Sequence, residues 1–207
     1  MIICIAGLKG GSSKTTVSIN LSHAIAKPGH KVLLIDADPQ ASTLLWSRMR
    51  EETPFDILHK ADNRIHRDIK DITKGYNHCL IDCPPRGQDI TLSALLASRL
   101  CVIPVRPSPL DIWSGREFLE VIAEARKHNK GLQAKLLIAQ KVAGTIPAKE
   151  IREALQTLKR GIFNTEIGFR VAYVKAMTEG KTILEYERNG AAAMEITNLR
   201  DEILKRG

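Results

Sequence analysis

Gly7-Leu8-Lys9-Gly10-Gly11-Ser12-Ser13-Lys14-Thr15-Thr16 is the stretch on which the reading of this chain turns. It follows an apolar run, Ile2-Ile3-Cys4-Ile5-Ala6. It opens a segment in which Val17, Leu21, Ala24 and Ile25 recur at helical spacing, up to Pro28-Gly29. Strand, glycine-rich turn, Lys-Thr and helix, in that order, form the setting of a phosphate-binding loop. Glycines let backbone N–H groups converge on phosphate oxygens, and the helix N-terminus adds the positive end of its dipole. Gly10, Gly11, Ser12, Ser13, Lys14, Thr15 and Thr16 are then the nucleotide-binding candidates. Lys14 would reach the β- and γ-phosphates and the Thr15 hydroxyl would ligate Mg²⁺. Two positions are irregular: Ser13 stands where the strict pattern has its second glycine, and a further lysine, Lys9, sits near the start of the loop.

Outward from the loop, Lys31-Val32-Leu33-Leu34-Ile35-Asp36 reads as a buried parallel strand ending in Ala37-Asp38-Pro39-Gln40. Residues 42–52 are predicted helical with Leu44, Leu45 and Met49 inward, and the polar stretch 53–76 fits a short strand and a surface helix. Asn77-His78-Cys79-Leu80-Ile81-Asp82, followed by Cys83-Pro84-Pro85-Arg86-Gly87, is an apolar strand closing on an acid, the pattern that holds Mg²⁺ through water. A helix over 90–99, a strand Leu100–Val105, a loop Arg106-Pro107-Ser108-Pro109-Leu110-Asp111, a helix over 112–128 and a strand Lys135–Ala139 come next. A helix over 147–160, a short strand near 167–171 and helices over 172–178 and 190–205 complete the chain. Alternation of this kind predicts a single α/β domain over residues 1–207, a doubly wound, mostly parallel sheet. Ligands belong at the carboxyl ends of such strands, where Lys14, Asp38 and Asp82 all fall.

The chain of 207 residues carries a formal net charge of +8, and the excess is uneven. Residues 126–207 hold 16 Lys+Arg against 9 Asp+Glu, whereas residues 1–125 hold 15 against 14. An anionic partner for the C-terminal part, or plain solvation, accounts for this. Cys4, Cys79 and Cys101 lie in apolar runs and Cys83 just after one, where cysteine behaves as a small hydrophobe. Cys79-x-x-x-Cys83 has no second pair or His at zinc spacing. Met1 leads straight into a strand, with no leader and no run near the roughly 18 apolar residues of a membrane span. A reduced, cytoplasmic protein is expected.

Three motifs taken together resemble the ParA/MinD family of deviant Walker A ATPases: Lys9-Gly10-Gly11-Ser12-Ser13-Lys14-Thr15-Thr16, Asp36-Ala37-Asp38-Pro39-Gln40 and Ile81-Asp82-Cys83-Pro84-Pro85. The short chain, and the Arg106–Asp111 segment, are similar to the small plasmid-partition members. The resemblance implies an ATP-dependent homodimer using ATP and Mg²⁺. Lys9, Lys14 and Asp38 are its catalytic candidates, with Lys9 reaching the other subunit's phosphates and Asp38 orienting the attacking water. Thr15, Asp38 and Asp82 are the metal candidates, Asp36 is structural, and Pro84 and Pro85 stiffen a loop that senses the γ-phosphate. The resemblance further implies non-specific DNA binding through Arg170, Lys175 and Lys181; Lys149, Arg152, Lys159 and Arg160, at i, i+3, i+10 and i+11 on about one face of a helix, would extend the patch. It implies a nucleoid location and an adaptor protein of ParB type that stimulates hydrolysis. Plasmid partition is the first cargo to consider and positioning of a carboxysome the second. A MinD-like membrane regulator is disfavoured, with no stable membrane insertion expected, because Ile196, Leu199 and Ile203 form only a narrow stripe. An iron-protein-like reductase would need exposed cysteines. Ser13→Gly is expected to alter turnover more than ATP affinity.

Overall fold

β-branched and leucine-rich runs set the frame. In the computed structural model, which describes residues 1–26, 29–85, 87–142, 148–158 and 161–205, they form seven strands. These are β1 (Ile2–Ile5), β2 (Val32–Asp36), β3 (Asp56–His59), β4 (His78–Asp82), β5 (Leu100–Val105), β6 (Gln133–Ile138) and β7 (Gly161–Ile162). They build one sheet in the order β3-β2-β4-β1-β5-β6-β7, and every pairing is parallel. The chain leaves β1 towards β2 on one side and leaves β4 towards β5 on the other. Each connection passes over the other strand, the helix Lys14–Ile25 on one face of the sheet and the helix Gln88–Ala97 on the opposite face. The direction of winding therefore switches at the carboxyl ends of β1 and β4, where ligands of such sheets bind. The register sets Asp36 opposite Asp82, so two acids stand side by side at the carboxyl ends of β2 and β4.

Side chains alternate between the two faces, as a strand's period of two requires. Ile3 and Ile5 face α1 (Lys14–Ile25) and the C-terminal helix α9 (Ala191–Leu204), with α2 (Ser42–Ser47), α7 (Val171–Thr178) and α8 (Ile183–Tyr186) in the same layer. Cys4 and Ala6 face the other layer, α3 (Ile65–Ile72), α4 (Gln88–Ala97), α5 (Pro109–His128) and α6 (Ala148–Gln156). All four cysteines are buried on that second face. Ile196, Leu199 and Ile203 of α9 are buried, with α9 packed along α1, each contributing about 1.5–3 kcal/mol. Among the described residues no helix is long and apolar enough to cross a membrane.

Two expectations are corrected. The helix predicted over 42–52 is α2, only six residues long, and its inward residues are Thr43 and Trp46. Leu45 and Met49 stand exposed, because Trp46 takes the core position by stacking on Phe55 at 6.0 Å between ring centroids. The strand near 167–171 is a single bridge between Lys141 and Gly168, and the edge strand β7 lies earlier, at Gly161–Ile162. Val171 already begins α7, which leaves the backbone no room to continue the ladder.

Candidate functional site

The loop from β1 to α1 is held in shape by its own polar groups. Lys14 Nζ donates to the Lys9 carbonyl at 2.9 Å, and Ser12 Oγ donates to the same oxygen at 3.1 Å. Gly11 and Ser13 both take left-handed backbone, with φ of 68° and 70°. For glycine that conformation is free; for serine it costs about 1–2 kcal/mol. Ser13 is thus the N-cap of α1 in a conformation suited to glycine, and its carbonyl starts the helix by accepting from Val17 N at 2.8 Å. Gly10 lies at the rim, where an added Cβ would meet Pro85 at 4.0 Å. The loop walls a cleft of about 280 Å³ together with Asp38 and Pro85 from the opposing loops and Gln140 from the end of β6. Ser12, Ser13, Lys14, Thr15 and Thr16 all line it, so the structure gathers most of the predicted nucleotide residues in one place.

The three acids differ in environment. Asp36 is fully buried, and its carboxylate accepts from Thr43 N at 2.9 Å, Leu44 N at 3.1 Å and Asp38 N at 3.2 Å. Ala41, the N-cap of α2, has no side-chain acceptor, so Asp36 supplies the cap from β2. Asp38 is half-buried at the cleft, its Oδ1 accepting from Gln40 N at 2.9 Å. Asp82 is buried, with Oδ1 accepting from Ser18 Oγ at 2.9 Å and Oδ2 left without a partner. Burial pushes the Asp82 carboxyl up to about 7 and neighbouring Asp36 adds to the rise, while the Thr15 and Ser18 hydroxyls and the Lys14 ammonium oppose it. Burial likewise lowers the pKa of Lys14, against the pull of Asp82 and Asp38. A buried carboxylate with an orphaned oxygen beside a hydroxyl offers the oxygen donors a hard, hydrated cation takes, and Asp82 with Thr15 would hold Mg²⁺ here.

Other predicted residues are placed less simply. Lys9 is half-buried and does not line the cleft; it lines a narrow crevice with Asp111 and Ser114 at the start of α5, and its carbonyl accepts from Lys14 Nζ. Arg170 is bound through two nitrogens to Glu195, at 2.9 and 2.7 Å, and Lys181 is paired with Glu179 at 2.9 Å. Lys175 is exposed and makes no ion pair among the described residues, beside the exposed apolar residues Phe169, Val171 and Val174. Arg152 turns away from any outer patch to bond Glu166 and the Phe163 and Asn164 carbonyls. Lys159 and Arg160, and Arg86 of the loop after β4, lie outside the described residues, as does the side chain of Lys149. Trp113 is 64 % exposed, whereas Trp46 and Phe118 are core.

Three features escaped the sequence reading. Ser18, one turn beyond Lys14, orients Asp82, and its spacing on the helix was the available signal. Gln140 Nε2 donates to the Gly11 carbonyl at 2.7 Å and to Ser13 Oγ at 2.8 Å. Beyond Gln140 a second, mostly apolar cavity of about 340 Å³ shares Ser13, Thr16 and Gln140 with the phosphate cleft and is closed by Ile167, Tyr173 and Met177. A phosphate cleft opening onto an apolar pocket is the shape of a nucleotide.

Comparison with known proteins agrees. The profile of the CobQ/CobB/MinD/ParA nucleotide binding domain family matches residues 3–183. The chain belongs to that family. Within it, the carboxysome distribution protein A of Halothiobacillus neapolitanus is 29% identical over 207 residues, covering 98% of this chain and 95% of the relative. Among solved structures, apo McdA from Cyanothece superposes with a TM-score of 0.81 at 18% identity, over 98% of each chain. A plasmid partition protein of Borrelia burgdorferi bound to AMPPNP superposes with a TM-score of 0.76 at 23% identity, over 100% of this chain and 99% of that one. The parallel seven-stranded sheet described above is the fold shared with these MinD/ParA structures.

Proposed function

We propose that the cleft binds Mg²⁺-ATP and hydrolyses it to ADP and phosphate, and that the nucleotide switches the chain between a monomer and a homodimer. The observation that carries this is the buried Asp82 Oδ2 without a partner, set beside Thr15 and Lys14 at the mouth of a phosphate-shaped loop. In this reading the loop from Gly10 to Thr16 cradles the phosphates, and Lys14 exchanges its bond to the Lys9 carbonyl for the β- and γ-phosphates. Mg²⁺, when bound, neutralises charge on those phosphates. Asp38 orients the attacking water, and Asp82, Thr15 and Asp38 hold the metal shell. The apolar cavity past Gln140 takes the base. Lys9 reaches the partner's phosphates and supplies positive charge to the transferring group.

The dimer is proposed to bind DNA without sequence preference through the C-terminal surface around Lys175, with Arg170 and Lys181 contributing once released from Glu195 and Glu179. An adaptor of ParB type would stimulate hydrolysis, and cycles of release and rebinding would position a cargo along the nucleoid. Plasmid partition is one such cargo, supported by the Borrelia likeness. Positioning of a protein organelle is the second reading, and the Halothiobacillus relative, matched over 98% of this chain, favours it. A membrane-bound regulator is not favoured, since the apolar stripe of α9 is used against α1. The test is retention of random-sequence duplex DNA with Mg²⁺-ATP, Mg²⁺-ADP or no nucleotide. Binding that needs ATP and falls by orders of magnitude between about 50 and 200 mM salt supports the reading. Binding that ignores the nucleotide refutes the switch.

A further inference from the structure

The serine in place of glycine has a partner. Ser13 and Gln140 are two of the three non-glycine residues at positive φ among those described, at 70° and 55°, and their side chains are bonded to each other. Gly11 O can only accept, so the Gln140 amide nitrogen must face the loop, and its second hydrogen then meets Ser13 Oγ. Gln140 is itself pinned on both sides. Ala139 N donates to the Val105 carbonyl at 2.9 Å, Lys141 N to the Ile167 carbonyl at 3.1 Å, and Lys141 Nζ pairs with Glu166 at 2.6 Å. Strained backbone persists where its surroundings over-determine it, and here the sheet end over-determines Gln140, which in turn holds Ser13.

We infer that Gln140 is a positioning residue for the phosphate loop, clasping Ser13 and the Gly11 carbonyl so that a serine keeps the left-handed conformation nucleotide binding requires. This inference rests on the nucleotide reading of the cleft. Without the clasp, Ser13 would relax in the empty protein and ATP binding would have to restore the strained turn. With glycine at position 13 no strain exists to be held, and the clasp becomes dispensable.

A mutant cycle decides the matter, read as Mg²⁺-ATP affinity by titration calorimetry and as the thermal midpoint without nucleotide. Gln140→Ala is expected to weaken ATP binding about tenfold, equivalent to about 1.4 kcal/mol. Ser13→Ala, which keeps the Cβ and removes the hydroxyl, should weaken it by a similar factor. The Ser13→Ala/Gln140→Ala pair should be little worse than either single variant. In the Ser13→Gly background, Gln140→Ala should cost less than about twofold in ATP affinity relative to Ser13→Gly alone. Equal losses from Gln140→Ala in the Ser13 and Gly backgrounds would overturn the inference, whether from a direct base contact or from general destabilisation. Wild type failing to bind ATP at all would instead overturn the nucleotide reading. The midpoint cycle without nucleotide must still show the same coupling between positions 13 and 140, and additive midpoints would overturn the clasp on their own.

Discussion

Asp36 is the acid whose role the structure separates most cleanly from chemistry, and Asp36→Ala puts a magnitude on it. The substitution leaves Thr43 N and Leu44 N, bonded at 2.9 and 3.1 Å, without the carboxylate, together with the longer bond from Asp38 N at 3.2 Å. Hydrogen bonds to a charged acceptor contribute about 1.5–3 kcal/mol each, so the two good ones are worth about 3–6 kcal/mol gross. Opposing this, burial raises the pKa of Asp36, and its charge also pushes Asp82 up, so removing it relieves desolvation and repulsion. A net loss of about 2–3 kcal/mol remains, which for a chain of this size lowers the thermal midpoint by about 4–12 °C. The assay is thermal unfolding followed by far-UV circular dichroism, without nucleotide and with EDTA present. Asp36→Asn keeps one acceptor oxygen for the α2 amides and should lose about half as much. Asp38→Ala, which breaks only a turn bond to Gln40 N, should stay within about 2 °C of wild type. If Asp36→Ala also stays within about 2 °C, water caps α2 well enough and the reasoning fails.

Three further outcomes follow from the same geometry. Asp82→Asn should leave the nucleotide-free midpoint unchanged or raised, because a buried charge with an orphaned oxygen is removed, while the Mg²⁺-dependent gain in ATP affinity disappears; a gain that survives in calorimetry contradicts the metal assignment. Glu185, bonded to Arg50 at 2.7 and 2.9 Å and to Thr182, titrates at about 2, because these bonds outweigh its burial. Its folded pKa is depressed, so its contribution is present above the ordinary carboxylate range and is lost as pH falls through about 4.5 towards about 2. Arg50→Ala should flatten that acid limb by about 1–2 kcal/mol, allowing for its partial exposure, and an unchanged acid unfolding profile counts against it. On the DNA surface, Lys175→Ala should weaken binding of any duplex and lower the log–log salt slope by about 0.9, more than Arg170→Ala does, since Arg170 is already held by Glu195. Equal slopes for the two variants would place the DNA elsewhere.

How much of this was legible in the residues depended on the reach of each signal. The strands were plain because a buried parallel strand is a continuous apolar run, and the three acids and the loop lysine fall at run ends, where topology then gathers them. Helix α2 misled because six residues are too short for a periodicity to outvote one large side chain, and Trp46 had the better partner in Phe55. Helix α8 was missed although Thr182 and Glu185 stand at capping-box spacing, which the structure completes. Charge counting found the basic C-terminal part but not its pairing, and Arg170, Arg152 and Lys181 are each engaged by a glutamate. The clasp between Ser13 and Gln140 spans 127 residues of chain, and no local pattern announces it. What the sequence did show was the anomaly itself, a serine where glycine belongs.

The central claim, that the cleft is an ATP-controlled switch of assembly, is tested most directly by sedimentation velocity of the full chain with Mg²⁺-ATP and with Mg²⁺-ADP. Asp38→Ala serves to hold the ATP state. The account predicts twice the 23.0 kDa monomer mass with ATP and the monomer with ADP, and a monomer under both conditions for Lys14→Ala. A species of 23.0 kDa at saturating ATP, with binding verified in the same sample, would contradict it.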